Sequence, residues 1–403
     1  MRTVRLRLSL HWAVLGTVLI VAMTVYAHIL WEAAFEEASG EEERELLSKK
    51  SVRQDEEEEY TQTSAVVLLQ NETEFRETGR NLAEYNPEED DLTSAQERLQ
   101  KRRRWIQSVC RHLHHKEPVE KTARNSFNYF FDYRAAVCPI PKSGSSTWRE
   151  HLRIVNRGPH PSVPIFQDLR LIEIQRQPIK KIMRQLSQTT KIITVRHPLT
   201  RLVSCFRSKF NKGMPLRAYS PKSEEERRKK KAGFSWNDNF YAFWLPALHA
   251  NNMLPTDFHR DLNLTSTLDP DKRYNTSVYT AIYWRVRPRI NFNQFMKLVV
   301  SSHKEGKANP HWDTYYNRCS PCRFNYDYVT HIETLEDDLK YVFKVLGLPS
   351  KPTLDENSSR IRSRKSRDFR MFTWLPKPML DDLKELLWPD LQMFGYKWPK
   401  MLG

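Results

Sequence analysis

Hydrophobic positions fall into three regimes along the chain. From Leu8 to Trp31 they form one nearly unbroken run. From residue 32 to about 100 they show no sustained period. From about residue 130 onward, short apolar runs alternate with segments of helical spacing, the pattern of a parallel α/β sheet flanked by helices. Tyr133–Val137, the β-branched run Lys191–Val195 and Tyr328–Ile332 read as strands. Thr147–Val155 reads as a helix, with Trp148, Leu152 and Val155 on one face. Lys180–Gln188 reads as another. Thr200–Phe210 is a third, with Thr200 as its N-cap and Leu202, Val203, Phe206 and Phe210 sharing a face. Further helices are expected over 92–115, over Trp236–Leu248 up to a break at Pro246, and over Phe292–Ser302. Leu335–Leu346 is expected to close at Gly347 and Pro349, and Pro378–Trp388 is the last helix. There are no internal repeats.

Charge divides the chain at about the same place. Its 403 residues carry a net +16. Residues 1–100 hold 21 acidic and 10 basic side chains, and residues 101–403 hold 28 and 55. A net −11 segment thus precedes a net +27 body, which points to a polyanionic partner: nucleic acid, anionic lipid or an acidic glycan.

The N-terminus chooses among these. Arg2, Arg5 and Arg7 precede the apolar run, and Glu32, Glu36 and Glu37 follow it. The run is long enough to span a bilayer, which takes roughly 20 residues. Positive charge before it predicts a cytosolic tail and a lumenal body. The rival is a cleaved signal peptide ending at Val25-Tyr26-Ala27, but the run exceeds the ~7–15 residues of a signal core. Sequons at Asn71, Asn263, Asn275 and Asn357 fit secretory exposure. A lumenal body sets aside a nuclear reading of Lys101–Arg104 and of Arg227–Lys231, and with it nucleic acid as partner. The five cysteines, Cys110, Cys138, Cys205, Cys319 and Cys322, leave at least one without an intramolecular partner. Cys319 and Cys322 have redox or zinc spacing. No second such pair follows, a lumen favours disulfides, and no metal is expected.

Two segments carry candidate chemistry. In Cys138–Trp148 a short strand runs into a loop of small residues with one lysine, Lys142, and then into a helix. Backbone N–H groups and the helix N-terminus of such a loop hold an anion, and the lysine adds a point charge. The lysine precedes Gly144, so this is not a Walker A sequence, and a P-loop kinase reading lacks its signature. Strand 191–195 then runs into Arg196, with Ser204 two turns into the following helix. Arginine offers a forked, permanently charged donor set. Both loops lie at the carboxyl ends of strands, where α/β sheets bind ligands. A ligand with two separated phosphates would span them.

These segments resemble a known family. Pro141-Lys142-Ser143-Gly144-Ser145-Ser146-Thr147 is similar to the 5′-phosphosulfate loop of Golgi carbohydrate sulfotransferases. Arg196-His197-Pro198-Leu199-Thr200-Arg201-Leu202-Val203-Ser204 is similar to their 3′-phosphate motif. His311-Trp312, Cys319-Ser320-Pro321-Cys322, Tyr326-Asp327 and Glu333–Asp338 resemble the subfamily that sulfates chondroitin, dermatan and related glycans. The likeness runs from about 130 to 398, through a terminal segment at Leu391–Tyr396. Ser145 and Thr147 stand where the subfamily usually has cysteine and asparagine. His197 replaces an acid, and Leu199-Thr200 an aromatic–acid pair.

The resemblance implies a P-loop-like sulfotransferase fold and a 3′-phosphoadenosine 5′-phosphosulfate (PAPS) donor, with the two motifs as its site and Ser359 and Arg360 as a region closing over the nucleotide. The expected organisation is a tail over 1–7, a signal-anchor over 8–31, an acidic and largely disordered stem over 32–104 and a lumenal catalytic domain over 105–403, in the Golgi membrane. Lys142 is expected to assist departure of the nucleotide. A base must take the acceptor's proton, with His311 the first candidate and Glu173 the second. Lys209, Lys212 and the 227–231 run are candidates for binding an anionic glycan acceptor, read as a GalNAc 4-OH in chondroitin-type chains. The alternatives are a heparan 2-O-type enzyme and a lumenal glycan-binding protein without catalysis.

Overall fold

The β-branched run near 192 becomes the centre of the fold. A computed structural model of the chain describes residues 94–113, 119–156, 169–214, 240–254, 286–349 and 365–403. The apolar run 8–31, the residues of the expected stem before 94, all four sequons, the 227–231 run, Ser359 and Arg360 lie outside these. Among the described residues no helix is long and apolar enough to cross a membrane.

Strands β1 (Asn128–Phe130), β2 (Ala135–Cys138), β3 (Thr190–Val195) and β4 (Tyr328–His331) form one sheet in the order β1-β2-β3-β4. β2–β3 and β3–β4 pair in parallel, Cys138 opposite Ile193 and Val195 opposite His331. β1 pairs antiparallel with β2, so the sheet is mixed, and the all-parallel expectation is corrected at this edge. β1 is too short to show a period, and an antiparallel edge strand is a common end to a parallel sheet. Tyr133 does not belong to β2, because Arg134 before it is left-handed, with φ 45°.

The helices in chain order are α1 (Ala95–Cys110), α2 (Val119–Asn125), α3 (Ser145–Val155), α4 (Leu169–Arg176), α5 (Ile179–Ser187), α6 (Pro198–Lys209), α7 (Leu245–Ala250), α8 (Phe292–Lys304), α9 (Tyr315–Cys319), α10 (Pro321–Phe324), α11 (Leu335–Leu346), α12 (Lys365–Phe369) and α13 (Lys377–Met393). Among the starts that differ from the sequence reading are those of α6 and α7. α6 begins at Pro198, not at Thr200; His197 takes the N-cap position, its Nδ1 accepting from Leu199 N–H at 3.3 Å. Proline is favoured in a first turn because its missing N–H has no helical acceptor to lose. For the same reason Pro246 opens α7 instead of breaking a helix, after a wider π-helical turn at Phe240–Trp244.

One core packs α3 and α11 on the sheet: Trp148, Leu152, Val137, Ile192, Leu335, Leu339 and Phe343 are buried there. The Trp148 indole donates to Thr194 Oγ1 at 2.6 Å, and Thr194 pairs with Thr330 at 2.6 Å, so the helix is pinned across two strands. α1 belongs to this body. Ser94 and Glu97 form a reciprocal cap at its start. Arg98 and Arg102 are buried on the carboxylate of Asp338, at 2.9 and 2.6 Å. Residues 104 and 105, where stem was expected to meet domain, lie within this helix. Disulfides join Cys110 to Cys322 and Cys138 to Cys319, leaving Cys205 buried and free. Each cysteine of the C-x-x-C pair therefore has its own distant partner, and the pair is neither a redox couple nor a pair of metal-ligand thiolates.

Candidate active site

The first loop leaves β2 at Cys138 and turns back on itself, with Ser143 N–H donating to Ile140 O at 3.2 Å. Lys142 and Gly144 both take left-handed backbone, with φ 71° and 77°. Left-handed backbone is a feature of anion-binding nests, and Lys142 and Gly144 take it on either side of Ser143. Glycine is favoured at 144. Besides the positive φ, a Cβ there would sit 3.3 Å from Leu335 Cδ2. α3 starts at the next residue, so the N–H groups of Ser145, Ser146 and Thr147 have no helical acceptor. Ser145 is buried, Ser146 exposed and Thr147 half-buried. Pro141 and Lys142 are half-buried. Burial holds the Lys142 ammonium below its usual range, and Arg196 pushes the same way.

The second loop leaves β3 next door, in parallel register. Arg196 bends toward the first loop: its Nη1 donates to Lys142 O at 3.5 Å and its Nε to Thr200 Oγ1 at 3.0 Å. Asp368 on α12 lies 3.9 Å from its Nη2 and 2.6 Å from Nη1 of Arg207. The two motifs are thus brought together. Within the second, Arg196 and Ser204 keep exposed side-chain surface. Leu199, Leu202 and Val203 are wholly buried core residues. His197 is buried between Phe369 and Tyr396, its Nε2 3.1 Å from Lys397 O. Pro198 opens the helix. Arg201 is buried, its Nη2 donating to Asp313 O and its guanidinium lying 4.9 Å over the Tyr315 ring. Its part is to place Tyr315.

Tyr315 joins the two loops, and sequence reasoning missed it. Its hydroxyl pairs with Ser143 Oγ at 2.5 Å and accepts from Arg196 N–H at 2.9 Å. Asp390 on α13 holds the start of α9 by accepting from the N–H groups of Tyr315 and Tyr316 at 2.8 and 2.9 Å. The Cys138–Cys319 bridge ties the other end of α9 to the strand that feeds the first loop. The only signal for Tyr315 was its place between His311 and Cys319. Tyr315→Phe leaves a buried Ser143 hydroxyl and the Arg196 N–H short of a partner, a cost of about 1–3 kcal/mol. The expected outcome is a donor KM raised about tenfold with acceptor KM unchanged; an unchanged donor KM contradicts the bridge.

His311 feels the charge of Lys142 in the first loop. It is pushed down to about 3, first by burial and then by Lys209, Lys142, Arg149 and Arg201. The Lys209 ammonium stands 4.5 Å over the Phe243 ring, and His311 meets the same ring edge-on at 4.9 Å. Asn309 Oδ1 accepts from the His311 backbone N–H at 3.0 Å and lies 2.9 Å from its Nδ1. A backbone N–H can only donate, so the Asn309 atom is the oxygen, Nδ1 carries the proton, and Nε2 presents a lone pair. Glu173, the second candidate base, stands exposed on α4, which packs on α2. Lys212 is exposed in the turn after α6.

Two strand-end loops, each with a cation, are joined by one tyrosine at the carboxyl end of a mixed α/β sheet. The chain belongs to the sulfotransferase family, whose model matches residues 125–397. It is 23% identical to Carbohydrate sulfotransferase 9 of Homo sapiens over 333 residues, which cover 75% of this chain and 61% of that protein. It is 24% identical to Carbohydrate sulfotransferase 14 of Danio rerio over 311 residues, covering 74% and 71%. With Carbohydrate sulfotransferase 11 of Rattus norvegicus the identity is 23% over 287 residues, covering 67% of each. No solved structure matches.

Proposed function

We propose that this chain transfers a sulfuryl group from PAPS to a glycan hydroxyl, and that the acceptor is a GalNAc 4-OH in chondroitin- or dermatan-type chains. The observation that supports the reading is the Tyr315 bridge between the two loops. The amides of 144–147, left open at the start of α3, and the hydroxyls of Ser145, Ser146 and Thr147 hold the phosphosulfate. Arg196 and Ser204 hold the 3′-phosphate and so fix the donor in register. The acceptor oxygen forms its bond to sulfur as the bond from sulfur to the 5′-phosphate oxygen breaks. Lys142 meets the charge that builds on that departing oxygen. His311 Nε2 takes the hydroxyl proton, with Asn309 fixing its tautomer.

A histidine held neutral also has a measurable pH signature. The unfolded chain takes up this proton near 6.5, whereas the folded chain resists it down to about 3. His311 therefore lowers stability as pH falls through that window. Bound donor anions offset the surrounding cations and raise its basicity in the complex. In kcat/KM, which reports the free enzyme, the acid limb from His311 is expected well below 6.5. An acid limb at 6.5 that vanishes in His311→Gln contradicts its burial among cations.

The two disulfides support an oxidising compartment, in keeping with a Golgi lumenal domain behind a type II anchor at 8–31. The sequons at Asn71, Asn263, Asn275 and Asn357 are proposed glycosylation sites there. The test is transfer of labelled sulfate from PAPS by the full chain to chondroitin, dermatan, heparan and N-glycan acceptors. Incorporation into chondroitin or dermatan at the GalNAc 4-position is expected. Incorporation into heparan uronic acid alone replaces the acceptor, and tight glycan binding without transfer to any of them replaces the reaction.

A further inference from the structure

An open cavity of ≈ 380 Å³ lies beyond α12, between it and the start of α8. It is lined by Phe292, Asn293, Arg367, Arg370, Met371 and Trp374, among others. Its volume falls within the ~300–1,000 Å³ of ligand sites. Trp374 is 85% exposed and lines the cavity together with Phe292, Met371 and Leu375, and contiguous apolar surface commonly marks a contact site. Arg367 and Arg370 are exposed as well, and neither has an ion-pair partner among the described residues. No acidic residue is among the described residues that line the cavity. Phe292 of the lining packs edge to face on the buried Phe372 at 5.0 Å.

The cavity adjoins the nucleotide side of the candidate site through one arginine. Met371, which lines it, meets Arg207 Nη2 at 3.9 Å. Arg207 pairs with Asp368, and Asp368 reaches Arg196.

We propose that this cavity is a subsite for an acidic saccharide, holding a part of the polymer away from the hydroxyl that receives sulfate. A pyranose has one face of C–H groups, which packs on an indole, while its carboxylate or sulfate substituents stand at the rim. Trp374 offers that indole without ordering a flexible side chain. Arg367 and Arg370 offer forked donors to the acidic groups. Neutral sugars satisfy the indole alone, and small anions satisfy the arginines alone. The combination selects a charged sugar, in line with the basic body of the chain. The proposal rests on the reading of the acceptor as an anionic glycan.

The test uses the full chain and two variants, Trp374→Ala and the double variant Arg367→Ser/Arg370→Ser. Binding of chondroitin sulfate polysaccharide is measured by calorimetry, beside a desulfated, carboxyl-reduced form of the same polymer, and KM is measured for PAPS and for the polymer. Aromatic and arginine anchors at binding surfaces commonly contribute more than 1 kcal/mol, so each variant is expected to weaken the acidic polymer about tenfold. The reduced polymer is expected to bind weakly to wild type and to be insensitive to the arginine changes. KM for PAPS is expected to stay as it is. All three side chains are exposed, so melting temperature is expected to hold. Unchanged affinity for the acidic polymer in both variants overturns the proposal. So does a raised KM for PAPS with polymer affinity intact, which assigns the cavity to the nucleotide. If no acceptor is sulfated at all, the binding measurement still decides: loss of polymer affinity in the variants upholds the subsite while the catalytic reading fails.

Discussion

Lys142→Ala is expected to lower kcat for sulfate transfer by about 10²–10³, the usual cost of removing one group aimed at developing charge. Glycan affinity is expected to stay unchanged. The lysine sits in left-handed backbone between β2 and α3, where its carbonyl also receives Arg196. It is half-buried and held below its usual basicity by that burial. A cation in such a place is costly without an anion, and the bound donor supplies one. A lysine that only attracted the polymer would show the opposite split, a raised acceptor KM with kcat intact. Steady-state kinetics with both substrates varied separates the two. Arginine at 142 is not an equivalent replacement, because its planar fork needs room on a tight turn.

The largest expected effect on stability comes from Asp338→Ala. Asp338 is wholly buried and takes Arg98 Nε and Nη2 at 3.0 and 2.9 Å on one oxygen. The other oxygen takes Arg102 Nη1 at 2.6 Å, Thr334 Oγ1 at 2.8 Å and the His331 N–H at 3.3 Å. One carboxylate thus ties α1, the end of β4 and the start of α11 together. Removing it leaves two guanidinium groups in the interior, a loss of about 3–5 kcal/mol. Thermal unfolding of the variant should show a clearly lower midpoint. Replacing Arg98 and Arg102 by methionine and Asp338 by leucine together should recover most of the loss, since no charge is then left alone. A single variant as stable as wild type contradicts the burial of this network. The same geometry says that fragments beginning after residue 104 will fold poorly, because they cut α1 and discard both arginines.

What the sequence could and could not reveal follows from distance along the chain. β3 was legible because a β-branched run buried on both faces has few other uses. α11 was legible from end to end, since an acidic first turn, an apolar stripe and Gly347 all agree. The two loops were legible because strand, small residues and helix are contiguous. Arg98 and Arg102 were read as part of a charged stem, as a helix rich in arginine usually shows a solvated face. Only Asp338, 240 and 236 residues away, makes them interior. Tyr315 was hidden in the same way, its partners Ser143 and Arg196 being 172 and 119 positions off. In the 196–204 motif, resemblance marked a whole stretch, while the structure divides it. Arg196 and Ser204 keep part of their surface exposed, and Leu199, Leu202 and Val203 pack inward because a helix on a sheet must bury one face. β1 and the starts of α6 and α7 were missed for local reasons, a strand too short for a period and prolines read as stops.

One ligand is proposed to join both loops. Calorimetric binding of 3′-phosphoadenosine 5′-phosphate and of adenosine 5′-phosphate to the full chain and to Arg196→Ala tests this most directly. The 3′-phosphate is expected to strengthen binding to wild type by about tenfold or more, and most of this gain is expected to disappear in Arg196→Ala. Equal affinity of the two nucleotides for wild type, or a 3′-phosphate gain that survives intact without Arg196, would contradict the proposal.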